Sequence, residues 1–137
     1  MTSLQRFLDA QDGTFEQALA ELKAGAKRSH WIWFVFPQIA GLGHSQTARY
    51  FAIADIDEAK AYLAHETLGQ RVRECTRAML DWRGRKTARD ILGTIDALKF
   101  ASSMTLFESA GDDALFGQAL DAFHDGERDA LTLRKLN

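Results

Sequence analysis

The sequence contains a single cysteine and a single proline among its 137 residues. One cysteine excludes an intrachain disulfide and any metal site built from several thiolates. No apolar run approaches the roughly 18 residues of a membrane span, and the amino terminus lacks the apolar core of a secretory signal. We therefore expect a protein of a reducing, cytoplasmic compartment, with no membrane partner.

The chain also lacks an excess of charge of either sign. It has 17 basic and 19 acidic residues, a net charge of −2. This balance argues against nucleic acid as a partner held by bulk charge and leaves only a local patch. The strongest such patch is the run 83–86 with Arg89. Its only nearby aromatic residue, Trp82, belongs to an apolar stripe, so a solvated basic face is expected.

What the sequence has in quantity is helical periodicity. Residues Leu68, Val72, Cys75, Met79 and Trp82 recur at steps of four and three, which is one apolar face of a helix. The glycines and the proline fall between such stretches, and the length suits one domain. The prediction is an all-α fold, a compact single domain over residues 1–137 that forms a bundle of seven or eight short helices. The oligomeric state is not determined by any of these patterns.

Two of the predicted helices carry start signals. The spacing of Thr14 and Gln17 predicts a capping box, and that of Thr87 and Asp90 predicts a second capped helix.

The segment Trp31–Phe36 is the most unusual stretch, because it holds six consecutive apolar residues. Periodicity over six residues cannot separate a buried strand from a buried helix. Since no second strand is predicted for it to pair with, we interpret it as a buried helical turn ended by Pro37.

A loop with two glycines, Gly41 and Gly43, follows this segment and leads to Ser45, a candidate N-cap, and to Arg49. Such a loop before a helix can hold an anion. It matches neither the P-loop nor the full dinucleotide motif. An ordinary loop with a serine cap therefore stays open as the alternative.

A second polar group lies within the apolar stretch Asp96–Phe107. Here Lys99 is a candidate anion ligand, and Ser102, Ser103 and Thr105 place three hydroxyls in four positions. Serine and threonine are poor choices for helix propensity alone. The alternative is an ion pair between Lys99 and Asp96, with the hydroxyls bonded to the helix backbone.

The four histidines do not form a helical metal pair, since none is four residues from another. Neither a metal nor a cofactor is expected. His30 and His44 flank the glycine loop and are functional candidates, whereas His65 and His124 suit helix carboxyl ends. Cys75 lies on the apolar stripe and is expected to be a core thiol rather than a nucleophile.

Three motifs together resemble a family of small uncharacterised proteins. They are Ser29–Gln38, the glycine loop with the start of the next helix (residues 41–45 and 48–53), and Asp96–Phe107. The family is a domain of unknown function, some members of which are labelled calpastatin, and the resemblance extends over residues 4–136. It implies a compact all-α fold and brings no established activity. The aromatic segment and the lysine-bearing helix are also distantly similar to NADAR proteins, which are tied to NAD and ADP-ribose chemistry.

Two functions follow as hypotheses. In the first, the aromatic segment, the glycine loop and the polar helix edge form a pocket that binds or processes a nucleotide-like or ADP-ribose-like ligand. As an enzyme, the protein would hydrolyse an N-glycosidic bond of the ADP-ribose type, with catalytic residues not identified. The alternative is a non-catalytic protein-interaction or ligand-sensing module. A buried carboxylate or histidine with a shifted pKa in the pocket would distinguish them. The candidate ligand-binding residues are His30, Trp33, Gln38, Ser45, Arg49, Lys99, Ser102 and Ser103.

In this hypothesis each residue has a role set by its chemistry. Trp33 stacks on the ligand, and the side chains of Gln38 and of Ser102 or Ser103 form hydrogen bonds with it. The phosphate is met by Ser45, Arg49 and Lys99.

Overall fold

A computed structural model describes residues 3–137, which form ten α-helices and no strand longer than a single bridge. The all-α prediction is confirmed, but the number of helices is ten rather than seven or eight. Three of the ten have only four or five residues, and the sequence indicated them by a cap or an apolar run rather than by periodicity. Within residues 3–137 no helix is long and apolar enough to cross a membrane.

The helices, in chain order, are α1 Gln5–Gln11, α2 Phe15–Ala24, α3 Ile32–Val35, α4 Gln46–Tyr50, α5 Ile56–Ala64, α6 Glu66–Leu80, α7 Ala88–Leu92, α8 Thr94–Ala110, α9 Leu115–Phe123 and α10 Ala130–Leu136.

The longest helix, α8, lies at the centre and packs against α3, α5, α7, α9 and α10. Its residues Phe100 and Phe107 are fully buried. The Phe100 ring meets Phe36 edge-on at 4.9 Å between centroids, and the Phe107 ring lies 5.2 Å from that of Tyr62. These contacts belong to one hydrophobic core, so α8 joins the amino-terminal and carboxyl-terminal halves of the chain.

The Trp31–Phe36 segment forms a short helix, as predicted, with Trp31 and Phe36 fully buried at its ends. Beyond Pro37 the chain makes an unpredicted contact, a single parallel bridge between Ile39 and Ile53. The amide of Ile53 donates to the carbonyl of Gln38, and the carbonyl of Ile53 accepts from the Ala40 amide, both at 2.8 Å. One bridge has no alternating pattern, which is why the sequence did not indicate it. It closes the glycine loop at its base.

The predicted caps have different outcomes. Thr87 and Asp90 form a complete capping box, and the Ser45 hydroxyl accepts from the Ala48 amide. The capping box predicted at Thr14 is wrong, because the Thr14 side chain makes no cap hydrogen bond. The Thr14 amide, which in a capping box would donate to the Gln17 side chain, donates to the carbonyl of Gln11 at 3.0 Å. The side-chain amide of Gln17 donates to the buried carboxylate of Glu21 at 3.1 Å.

That carboxylate fastens α2 to the segment before α3. Glu21 accepts from the backbone amides of Arg28 and Ser29 at 2.7 and 3.0 Å and from Trp31 Nε1 at 3.0 Å. The hydroxyl of Ser29 adds a bond of 2.6 Å. Burial by itself would raise the pKa of Glu21, but these hydrogen bonds outweigh it and lower the pKa to about 2.

Glu21→Gln should lower the free energy of unfolding by about 2–3 kcal/mol at pH 7, because hydrogen bonds to a charged group are lost. A lowered native pKa stabilises the fold above the unfolded value of 4.5, and that stability disappears as the pH falls toward 2. Urea unfolding at pH 7 and at pH 3 measures both effects, and the gap between mutant and wild type should narrow at pH 3. Glu16→Gln, on the exposed side of α2, is the control; an equal loss there would contradict the role of Glu21.

Cys75 is fully buried on the predicted stripe of α6. Burial, with the nearby charge of Glu74, raises the pKa of its thiol to about 12. Native protein should therefore react slowly with a thiol reagent, and Cys75→Ser should cost about 1–3 kcal/mol by placing a poorly satisfied hydroxyl in the core. Fast stoichiometric labelling without denaturant, or an unchanged denaturation midpoint, would contradict this.

Candidate functional site

Two adjacent cavities border the glycine loop, and the larger one also borders α8 and α10. The smaller, called the cleft, has a volume of about 180 Å³ and is walled by Trp33, Phe51 and the backbone around residues 38–41, with Arg49 at its edge. The larger, called the groove, has a volume of about 830 Å³. Gln38 and Gly43 line both, so the two cavities are neighbours.

The position of Gln38 follows from the elements on either side of it. Pro37 ends the aromatic segment before it, and the Ile39–Ile53 bridge fixes the backbone immediately after it. The half-buried Gln38 side chain is therefore held at the boundary between the cleft and the groove.

The glycine loop itself is held against α10. Gly41 has φ +98°, and a Cβ there would lie 3.1 Å from Nζ of Lys135. Glycine is thus favoured by the backbone conformation, and any larger side chain would also displace the end of the exposed Lys135 side chain. The predicted anion cradle at the amino end of α4 is not supported by the geometry, since α4 has only five residues and Ser45 already caps it.

Lys99 on α8 faces the groove with its charge only partly neutralised. Its Nζ lies 3.8 Å from Asp96, but the same carboxylate pairs more closely, at 2.9 Å, with the buried Lys27. The ammonium also lies 4.8 Å from the ring centroid of Trp33. Lys99 therefore covers one face of the indole, so a ligand can stack on that face only if Lys99 moves.

Ser102 lines the groove one turn beyond Lys99. Its Oγ lies 2.9 Å from Asp129 Oδ2 and 3.2 Å from the carbonyl of Leu98. Asp129 also accepts from the amide of Thr132 as the N-cap of α10. The hydroxyl proton of Ser102 is engaged by these acceptors, and its oxygen is left to accept a bond from a ligand.

Five of the eight predicted site residues line the cavities: Trp33, Gln38 and Arg49 the cleft, and Gln38, Lys99 and Ser102 the groove. The other three line neither. His30 is exposed and Ser45 caps α4, while Ser103 is fully buried with no hydrogen-bond partner for its Oγ among the described residues.

The turn between α9 and α10 also lines the groove, and the sequence analysis did not place it there. His124, Asp125 and Arg128 belong to it. Burial lowers the pKa of His124, opposed by the charge of Asp125, and His124 Nε2 has no hydrogen-bond partner in the described chain. Asp125 has φ +53°, rare for a residue other than glycine. The sequence predicts a helix end at His124, and a helix does end there. It does not indicate that this end faces the glycine loop.

Arg128 contributes less charge to the groove than its position suggests. Its guanidinium pairs with Glu108 and, at 3.2 Å, with Asp121. Of the two basic residues that line the groove, Lys99 is therefore the one without a close acidic partner of its own.

A family model described as "Protein of unknown function (DUF1810)" matches residues 1–136. The chain belongs to the DUF1810 family. It is 42% identical to the conserved hypothetical protein Rv1873 from Mycobacterium tuberculosis, whose crystal structure has a TM-score of 0.94 to this one over 97% of this chain and 95% of that chain. No curated protein matches.

These comparisons confirm the domain-of-unknown-function part of the resemblance and the all-α fold. The calpastatin label has no support in them, and the similarity to NADAR proteins stays a prediction.

An NMR titration of His124 should give a midpoint below the ordinary histidine value of 6.5, because burial disfavours the imidazolium. Asp125→Asn should lower the midpoint further, since the opposing negative charge is lost and asparagine tolerates positive φ. A His124 midpoint at or above 6.5 would show that the imidazole is solvated, contrary to its position in the structure.

Proposed function

We propose that this DUF1810 protein binds a small anionic, nucleotide-like ligand across the cleft and the groove. The observation that carries the proposal is the junction at Gln38. There, a cavity with Arg49 at its edge meets a cavity lined by Lys99, although the two cations are fifty positions apart in the sequence.

The groove also has acidic residues, Asp125, Glu127 and Asp129, but these lie in the turn before α10. At the junction itself the charges are those of two cations, Arg49 and Lys99, and favour an anion. The six ion pairs among the described residues do not include Arg49, which is exposed. Lys99 shares its acidic partner Asp96 with the better-placed Lys27. A phosphate or diphosphate bound between Arg49 and Lys99 would supply the counter-charge that both cations lack, through charge-assisted hydrogen bonds.

The shape of the two cavities favours a ligand with one ring. The cleft has aromatic walls, Trp33 and Phe51, and a volume of about 180 Å³ that suits a single heterocycle rather than a whole nucleotide. The groove falls within the usual range of about 300–1,000 Å³ for ligand pockets. A nucleotide-like ligand would place its ring in the cleft and its anionic groups beside Gln38 and Lys99.

Hydrolysis of an N-glycosidic bond is a second candidate function, and His124 favours it. His124 is half-buried and lines the groove, and burial lowers the pKa of its imidazole, which favours the neutral form. A neutral imidazole can act as a general base. A non-catalytic ligand sensor or interaction module, the other alternative, has no need of such a group.

Lys99→Met should keep the fold, because methionine preserves most of the apolar stem at a half-buried position. It should weaken ADP-ribose or ADP binding by about 1–3 kcal/mol through loss of a charge-assisted hydrogen bond. Gln38→Ala should weaken the same ligand. Isothermal titration calorimetry measures the affinities, after a thermal-shift screen of nucleotides, NAD and ADP-ribose in which a ligand at one hundred times its Kd adds about 2.7 kcal/mol.

The matched control is Lys60→Met, an exposed lysine on α5 that lines neither cavity. Equal affinity of Lys99→Met and wild type, or no ligand in the screen, would contradict the proposal and favour the interaction module.

The hydrolase hypothesis is tested by chromatography of NAD and ADP-ribose after incubation with the protein. His124→Gln should abolish turnover while leaving ligand binding measurable.

A further inference from the structure

Exposed apolar side chains concentrate at the mouth of the groove. The large hydrophobic residues that are exposed in the described part of the chain are Tyr50, Ile95, Leu98, Leu131 and Leu133. Three of them, Ile95, Leu98 and Leu131, line the groove, with exposures of 70%, 66% and 52%. Scattered exposed leucines need no explanation, but a cluster around a concave surface is typical of a binding site.

Two of the apolar residues of the groove and its lysine follow one another along α8. Ile95 and Leu98 lie one turn apart, Lys99 is next in the chain, and Ser102 is one turn beyond Leu98. Leu131, in the first turn of α10, lines the same groove. The groove therefore has an apolar mouth and a polar floor.

We propose that the ligand carries an apolar group, of acyl or aryl character, that lies between α8 and α10 while its anionic part meets Lys99. This inference rests on the proposed function and narrows its ligand to an amphiphilic anion. A bare nucleotide held at the junction by Gln38 and Lys99 would leave Leu98 and Leu131 in water.

The polar floor argues against a purely apolar occupant such as the face of a partner helix. Covering the groove with apolar surface would bury Lys99, which has no close acidic partner of its own, and would remove water from Gln38. Burying an incompletely paired charge is costly. A small molecule with an anionic head and an apolar tail satisfies both the lysine and the leucines.

The experiment compares inorganic phosphate with phenyl phosphate and octyl phosphate by isothermal titration calorimetry, below the micelle concentration of the last. Octyl phosphate should bind the wild-type protein at least tenfold more tightly than phosphate. Leu98→Ser and Leu131→Ser should each remove most of that gain and leave phosphate affinity unchanged. Lys99→Met should weaken the binding of phosphate and of octyl phosphate.

The control is Leu133→Ser, since Leu133 is exposed on the same helix as Leu131 but does not line the groove. If ADP-ribose binding depends on Lys99 but octyl phosphate binds no better than phosphate, the apolar group is wrong and the proposed function stands. Equal effects of all three leucine substitutions also overturn it, as does a dimer in size-exclusion chromatography that Leu98→Ser dissociates. If neither nucleotides nor any phosphate compound binds, both proposals fail.

Discussion

The buried carboxylate of Glu21 is the interaction on which the arrangement of the site depends. It accepts hydrogen bonds from the backbone amides of Arg28 and Ser29 and from the indole of Trp31. These bonds fix the path of the chain between α2 and α3. Trp33 and Gln38 follow on that short helix and its exit. A carboxylate with this many donors is held ionised, and its removal would leave several buried donors without a partner.

A second constraint is the competition for Asp96. Lys27 comes from the segment after α2, and its buried ammonium takes the shorter contact with this carboxylate. Lys99, three residues further along α8 than Asp96, has only the longer contact and the face of Trp33. The pairing that holds the amino-terminal part of the fold to α8 is therefore the same pairing that leaves a cation facing the groove. Structure and candidate function are linked through one acidic side chain.

The fold could be predicted from the sequence because its signals are local. The stripe Leu68–Trp82 and the capping box at Thr87 arise from spacings of three and four residues, and similar spacings recur along most of the chain. The short helices α3 and α7 have too few residues for periodicity to be informative; an apolar run before Pro37 indicated the first and a cap the second. The error at Thr14 has a different origin, since a capping box inferred from spacing assumes that the Thr14 amide is free, and that amide donates to the carbonyl of Gln11.

The candidate site was predicted only in part. By itself the sequence determined the helices, the burial of Cys75 and the chemical types of the candidate residues, because these depend on neighbours a few positions away. Only the tertiary structure decided that Gln38 joins two cavities, that Ser103 lines neither, and that the turn at His124 faces the glycine loop. Those outcomes depend on which distant parts of the chain come together; Gln38 and His124, more than eighty positions apart, line the same groove. No local spacing encodes such contacts; they follow from how the packed helices fill one core.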